Sequence, residues 1–365
     1  MSAPRDTAVD AARAMAILGM FVIHAVLVLA TAYPKTGVEA AVMWLVDGRA
    51  AATFVTLAGF GVATLWRKLP DTDRDTVLRK RALVLWTAGV LNLIIWPGDI
   101  LRLYGIALAL SPVLLKWPAR TRLGAALALV GVYPLLMLAV DWTTHWDLTT
   151  ITYVGTWTLD GFVRNVLYDG FRPVVPWLAF YLAGTVMAEW PLQHARVQRA
   201  MIGWGAVITS ASVAISYGLD RWLQSAAPTL DALTREGLVG TTSLPPLPLS
   251  IASEIGTTAL LLGSAYALVP RLGSLPREVL SATGRRALTW YIWHVVVLVG
   301  AAASGALHRL SAAQAIGVGV LLFGFAAGWS YWFRQQPGTL ERWMRRVTQR
   351  SNASIARAAT NERTA

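Results

Sequence analysis

The chain has 365 residues, of which 55% are hydrophobic and 14% charged, with 17 Trp and no Cys. A soluble domain carries about 25% charged residues, so this composition excludes an ordinary soluble enzyme and defines an all-α, polytopic membrane protein. Without cysteine there are no disulfides, thiolate metal sites or cysteine acyl-enzymes. The net charge of +12 is concentrated in particular loops, which membrane orientation explains better than nucleic acid does, and no nucleic-acid partner is expected.

Apolar stretches read as spans lie at 10–31, 41–65, 82–96, 99–116, 122–140, 173–190, 199–217, 248–269, 284–304 and 312–333, about ten helices. The first is apolar from Arg13 to Leu29 apart from Arg13 itself and His24. A helix separates these two by about 16 Å along its axis, which puts Arg13 at headgroup level and His24 near or just past the midplane. Ionisable groups in hydrocarbon are costly and face a polar interior, so His24 is a candidate functional residue. The alternative is a neutral histidine bonded to a carbonyl of a neighbouring helix. Arg5, Arg13 and Ala30-Thr31-Ala32 have some features of a secretory signal. The apolar run is long for one, however, and cleavage would leave an odd helix count, so the segment is read as retained.

The second span carries Asp47 and Arg49, about 10–13 Å inside its outer end and so at a depth similar to His24. A carboxylate beside an imidazole fixes its tautomer and raises its basicity, as a general base requires. A structural Asp–Arg ion pair is an equal alternative. Cations are dense after even-numbered spans: Arg67, Lys68, Arg74, Arg79, Lys80 and Arg81, then Lys116, Arg120 and Arg122, then Arg196 and Arg199, then Arg271, Arg277, Arg285 and Arg286. Loops after odd-numbered spans hold few: Lys35, Arg164, Arg221, Arg235 and Arg309. This bias places both termini in the cytoplasm, in agreement with an even number of spans.

The fourth span opens with Asp99, Arg102 and Tyr104. Asp99 falls in a first turn, where capping of exposed amides is favoured over catalysis, whereas Arg102 and Tyr104 enter the membrane region. The longer loops 141–172 and 218–247 are rich in Trp and acids. They suit either a sugar or amine acceptor or an interfacial aromatic belt, and the belt is favoured for any single Trp. The ninth span holds a second deep histidine, His294, about 15 Å from the inner face. His145, His194 and His308 lie in or near loops. No helix-face metal spacing, nucleophile elbow or phosphate-cradling glycine loop is present in the sequence, and no metal is expected. Residues 1–340 read as one transmembrane domain and 341–365 as a basic tail with Arg342, Arg345, Arg346 and Arg350, a short surface helix followed by disorder.

Three groups of residues carry a resemblance. The opening Val9-Asp-Ala-Ala-Arg-Ala-Met-Ala-Ile-Leu-Gly-Met-Phe-Val-Ile-His24, then Gly48-Arg-Ala-Ala-Ala-Thr-Phe-Val-Thr-Leu-Ala-Gly59 and Ile100-Leu-Arg-Leu-Tyr-Gly105, resemble bacterial proteins with a heparan-alpha-glucosaminide N-acetyltransferase catalytic domain. Arg172-Pro-Val-Val-Pro-Trp-Leu178, Leu288-Thr-Trp-Tyr-Ile-Trp-His294 and Pro337-Gly-Thr-Leu-Glu-Arg-Trp343 are similar to a related membrane family of unknown function. The Arg13–His24 pattern is also similar to that of the wider acyltransferase-three superfamily, whose spaced double-arginine motif Arg79-Lys-Arg81 lacks. The resemblance implies a multi-pass protein of a bacterial inner (plasma) membrane that moves an acetyl or short acyl group from cytoplasmic acyl-CoA (acetyl-CoA) to an outward-facing glycan, lipid or small-molecule acceptor. The family's histidine falls on His24 and its arginine on Arg13.

On this reading His24 is the base or acyl carrier, with Asp47, Arg49, His294 and Tyr104 as further catalytic candidates. Arg13, Arg79, Lys80 and Arg81 would bind the donor's phosphates, and Asp99, Arg102 and Trp177 the acceptor. The rise from Arg13 to His24 is comparable to a pantetheine arm. The rival reading is a carrier or flippase using buried His, Asp and Arg. A homodimer is left open.

Overall fold

The computed structural model describes residues 6–34, 36–148, 150–305 and 309–348. Lys35, His308, Arg350 and the rest of 349–365 therefore lie outside the described residues. The helices are α1 (Thr7–Leu29), α2 (Gly37–Val46), α3 (Arg49–Lys68), α4 (Asp71–Asn92), α5 (Leu101–Leu114), α6 (Ala119–Ala139), α7 (Leu159–Arg164), α8 (Val174–Met187), α9 (Ala195–Ala226), α10 (Ala232–Val239), α11 (Pro248–Leu268), α12 (Ser274–Gly284), α13 (Ala287–Ala303) and α14 (Ala312–Trp332). A two-strand hairpin pairs Trp146 with Tyr153 and Asp147 with Thr152.

The central post is α1. Asp6 starts it by accepting from the amides of Ala8 (3.1 Å) and Val9 (3.3 Å), which satisfies two donors the first turn leaves orphaned. It is apolar on every side, and a helix of that kind is stable only when surrounded. Accordingly α3, α11, α12, α13 and α14 all pack on it. Arg13 of α1 meets Leu57 of α3, while Gly19 meets Ala50, so these two helices run antiparallel. α13 runs with α1, and α14 returns beside it: the Leu310 amide bonds Leu29 O (3.1 Å). Backbones approach closely where α3 crosses α8. A Cβ at Gly59 would collide with Tyr181 O, and one at Gly184 with Thr56 O, so only glycine allows this crossing, as at many membrane helix pairs.

Among the described residues six helices are long and apolar enough to cross a bilayer, counting α2 and α3 together as one, or seven if α12 and α13, bent by 74°, form one span. The expected second span is broken at Asp47–Gly48, which divides it into α2 and α3. Gly48 has φ 67°, the left-handed region that glycine enters without strain. The expected spans 99–116 and 173–190 are short helices, α5 and α8, with 14 residues each. At 1.5 Å per residue each is about 21 Å long, less than the ~30 Å of a hydrocarbon core. The tail is partly anchored. Residues 339–348 are helical, and Glu341 accepts from the amides of Leu288 (2.9 Å) and Thr289 (3.1 Å) and from the Thr289 hydroxyl (2.5 Å). A carboxylate from outside the helix thus caps the first turn of α13.

In the 141–172 segment the aromatics pack on one another. Trp142 stacks on Trp146, and Asp169 is held by Tyr153 (2.6 Å) and Arg164 (2.7 Å). This segment folds as a cap, and among its described aromatics only Trp157 keeps most of its surface exposed.

Candidate active site

α1 and α13 bring the two deep histidines together: His24 Nδ1 lies 2.8 Å from His294 Nε2. The ring planes are 8° apart with centroids at 5.1 Å. With the nitrogens so close, the rings must meet edge to edge in nearly one plane, as an in-line hydrogen bond requires. His294 Nδ1 is in turn 2.8 Å from Trp290 O.

The proton inventory follows from that carbonyl. A carbonyl oxygen only accepts, so His294 Nδ1 carries a hydrogen and neutral His294 offers a lone pair at Nε2. His24 Nδ1 must then donate, which leaves His24 Nε2 with an unshared lone pair. This relay orients the ring as an orienting group orients the base of a hydrolytic triad. Phe21 stacks on His294 (4.5 Å) and Trp96 leans on His24 (4.6 Å). His24 is 8% exposed and His294 1%, so neither ring faces lipid broadly.

Around this pair the first turns of α3, α5 and α8, with α11, supply polar groups. Arg49 donates to Trp44 O (2.6 Å) and Ser253 Oγ (2.9 Å). Asp47 is partly exposed at the helix break and accepts from the Tyr33 hydroxyl (2.9 Å). Burial and the Asp47 carboxylate hold the Tyr33 phenol above its ordinary range, so Tyr33 remains the donor. Neither alternative for Asp47 appears among the described residues: it makes no ion pair with Arg49, and the imidazole of His24 is bonded by His294. The cause is Gly48, which turns the chain between Asp47 and Arg49.

Asp99 accepts from the Arg102 amide (3.1 Å), the capping role favoured from sequence, and from Asn92 (2.9 Å). Arg102 reaches Asn165 (2.8 Å), and Tyr291 accepts from the Ile100 amide (2.9 Å). These groups form a buried network that anchors α5 to α13. Among the described residues, Tyr104 Oη and Trp177 Nε1 are buried without a hydrogen-bond partner, as are Arg49 Nε and both Glu254 oxygens.

Two residues outside the expected set belong here. Glu254 on α11 is fully buried against Gly48. Arg172 lies over the Trp177 ring (4.6 Å), and its charge reaches His24, Asp47, Glu254 and Tyr291. Glu254 carried a readable signal, as an ionisable residue inside an apolar span. Arg172 stood in the motif before α8 but outside any span.

At the Thr7 end of α1 lies a basin of about 1010 Å³. Its walls include the cations Arg13, Arg67, Lys68, Arg81, Arg285 and Arg345, and the acids Asp6, Asp10 and Glu341. Arg13 pairs with Asp10 (3.2 Å) and points to Leu57 O (3.4 Å). Of the expected donor-binding set, Arg13 and Arg81 line the basin. Arg79 and Lys80 do not, because they leave α4 on other sides of the helix. Arg13, Ile17, Met20 and His24 share one stripe of α1. Ile17 and Met20 are 0% and 2% exposed, so packed side chains separate the basin from the histidines. Among the described residues no cluster of three or more His, Cys, Asp or Glu could hold a metal ion.

A bundle of apolar helices around buried imidazoles, with a cationic basin at one end, defines a multi-pass membrane protein with polar groups in its interior. Residues 5–218, more than half of the chain, match the family model for the catalytic domain of heparan-alpha-glucosaminide N-acetyltransferase. The chain belongs to that family of membrane acetyltransferases. Neither the curated proteins nor the solved structures return a match.

Proposed function

We propose that the protein transfers an acetyl group from acetyl-CoA, bound in the cationic basin at the Thr7 end, to an acceptor that enters from the Leu29 end. The observation that carries this reading is the relay Trp290 O–His294–His24, which leaves a lone pair on His24 Nε2. The cation bias puts the basin in the cytoplasm, the side that holds the acyl-CoA pool, in a bacterial inner membrane. Six cations against three acids give the basin a surplus for the nucleotide phosphates. About 16 Å of α1 separates Arg13 from His24, a rise a pantetheine arm can cover once Ile17 and Met20 move aside.

His24 Nε2 takes the proton of the acceptor hydroxyl or amine as its oxygen or nitrogen attacks the thioester carbonyl. Arg172 faces the charge that develops on the carbonyl oxygen, and in a water-poor site such a donor is worth several kcal/mol. Collapse breaks the C–S bond. The leaving thiolate takes the proton from His24, releasing CoA thiol and acetylated acceptor. Glu254 and Arg49, with buried atoms that lack partners, suit the hydroxyls or amine of a glycan, lipid headgroup or small polar acceptor. The same lone pair could attack first and carry the acetyl group, which would give ping-pong kinetics. Family membership does not favour a carrier.

The test is acetyl-CoA turnover by purified protein with a panel of amino-sugar and polyol acceptors. His24→Ala should abolish it without altering the melting profile, and turnover surviving in that variant removes the mechanism.

A further inference from the structure

The histidine pair also has an approach from the side. α13 and α14 each pack chiefly on α1, and between them lies a cavity of about 400 Å³ floored by Phe21 and His294. Trp293, Val297, Phe325 and Trp329 form its rim, each between 46% and 59% exposed. An aromatic patch of this kind on the outside of a membrane bundle faces hydrocarbon.

The Thr7 end of the cavity differs. Two arginines, Arg286 and Arg342, line it there, and among the described residues no carboxylate does. Both terminal nitrogens of Arg286 are engaged, by the carbonyls of Ala282, Ser330, Phe333 and Gln336. Arg342 is less fully held. One of its nitrogens makes two long bonds (3.3 Å each) to Gln336 Oε1 and Pro337 O, and its Nε is buried without a partner.

The length also fits one kind of guest. From Ala287, at the arginine end, to His294 is about 10 Å of helix, within the ~15 Å of one leaflet's hydrocarbon. In a bilayer whose headgroups lie level with the arginines, a chain entering there reaches His294 without leaving the leaflet. The anionic lipids of a membrane are held on the side where basic residues cluster.

We infer that this cavity seats one acyl chain of an anionic phospholipid from the leaflet at the Thr7 end, with its phosphate on Arg342 and its chain over His294. The lipid closes the lateral opening and keeps water away from the His294–Trp290 link. This inference does not rest on acetyl transfer.

The test uses the full chain in phosphatidylcholine nanodiscs doped with phosphatidylglycerol carrying a mid-chain diazirine, with adducts mapped by peptide mass spectrometry. Adducts should concentrate on the α13 and α14 peptides that hold Trp293, Val297 and Phe325. Their yield should fall about five-fold in Arg342→Gln, the equivalent of ~1 kcal/mol per basic residue at a membrane surface, and recover in Arg342→Lys. Val297→Trp, which fills the cavity without touching the cations, should remove the adducts. Labelling spread evenly over lipid-facing helices such as α6 and α9 overturns the inference. So do equal labelling by a phosphatidylcholine probe, insensitivity to Arg342→Gln, and displacement of the probe by myristoyl-CoA, which would assign the cavity to a donor's chain.

Discussion

Replacing His294 tests the relay directly, because His294 contacts the proposed base, His24, without being it. In His294→Leu the His24 Nδ1 hydrogen loses its acceptor at 2.8 Å, and the Trp290 carbonyl loses its donor at 2.8 Å. A buried donor left unmade costs about 1–3 kcal/mol. His24 can escape that cost by moving its hydrogen to Nε2, which is the wrong tautomer for a base. If the penalty is expressed in the transition state, the rate falls by about 5- to 150-fold. His294→Gln should fall less, since a glutamine oxygen can accept from His24 while its amide nitrogen donates to Trp290 O. Thiol release from acetyl-CoA, read with an aromatic disulfide reagent, is a clean assay here because the chain has no cysteine to react. An order of wild type, Gln, then Leu in kcat, with the acetyl-CoA KM unchanged, supports the relay. A His294→Leu enzyme as fast as wild type refutes it.

Arg13→Gln should raise the KM for acetyl-CoA several-fold with little change in kcat, and added salt should narrow the difference, as for a contact with phosphate. Glu254→Gln removes a fully buried carboxyl whose oxygens have no partner, so the melting temperature should hold or rise while acceptor turnover falls; a fall in both would make Glu254 structural. Gly184→Val forces a side chain into the α3–α8 crossing and should cost about 1–3 kcal/mol, read as a lower melting temperature in detergent. Thr289→Val loses the 2.5 Å bond to Glu341 and should free the tail helix to limited proteolysis while the transmembrane helices stay protected.

The class of protein and the leading histidine were legible because their signals are local. Hydropathy marks a span from a single window, and one imidazole in an otherwise apolar run stands out without tertiary knowledge. What the histidine bonds to was not legible. Asp47 lies closer in sequence and at a suitable calculated depth, yet the partner is His294, 270 positions away. One glycine with positive φ breaks the span on which that depth was calculated. Hydropathy also could not separate α5 and α8 from full spans, because a buried helix and a lipid-facing one are equally apolar. Glu254 is the exception. The rule that picked out His24 applies to it equally, and its burial among α3 and α11 side chains is what that rule leads one to expect.

The short helices explain why polar groups gather near His24. α5 and α8 begin beside the histidines: Trp96, before α5, touches the His24 ring, and the Ile100 amide bonds Tyr291. The chain from 93 to 100 is therefore non-helical at a depth where α1 still has five residues to run. Backbone without helical bonds is tolerated at membrane depth only when it is buried in protein or lines a wet cavity. Here it is held by side chains such as Asp99 and Tyr291, while Glu254, Tyr104 and Trp177 keep buried polar atoms without partners. A bundle made only of full-length spans would have walled His24 in with lipid-like side chains. Shortening two helices makes its surroundings polar, which the proposed hydroxyl- or amine-bearing acceptor would need in order to leave water and reach the proposed base.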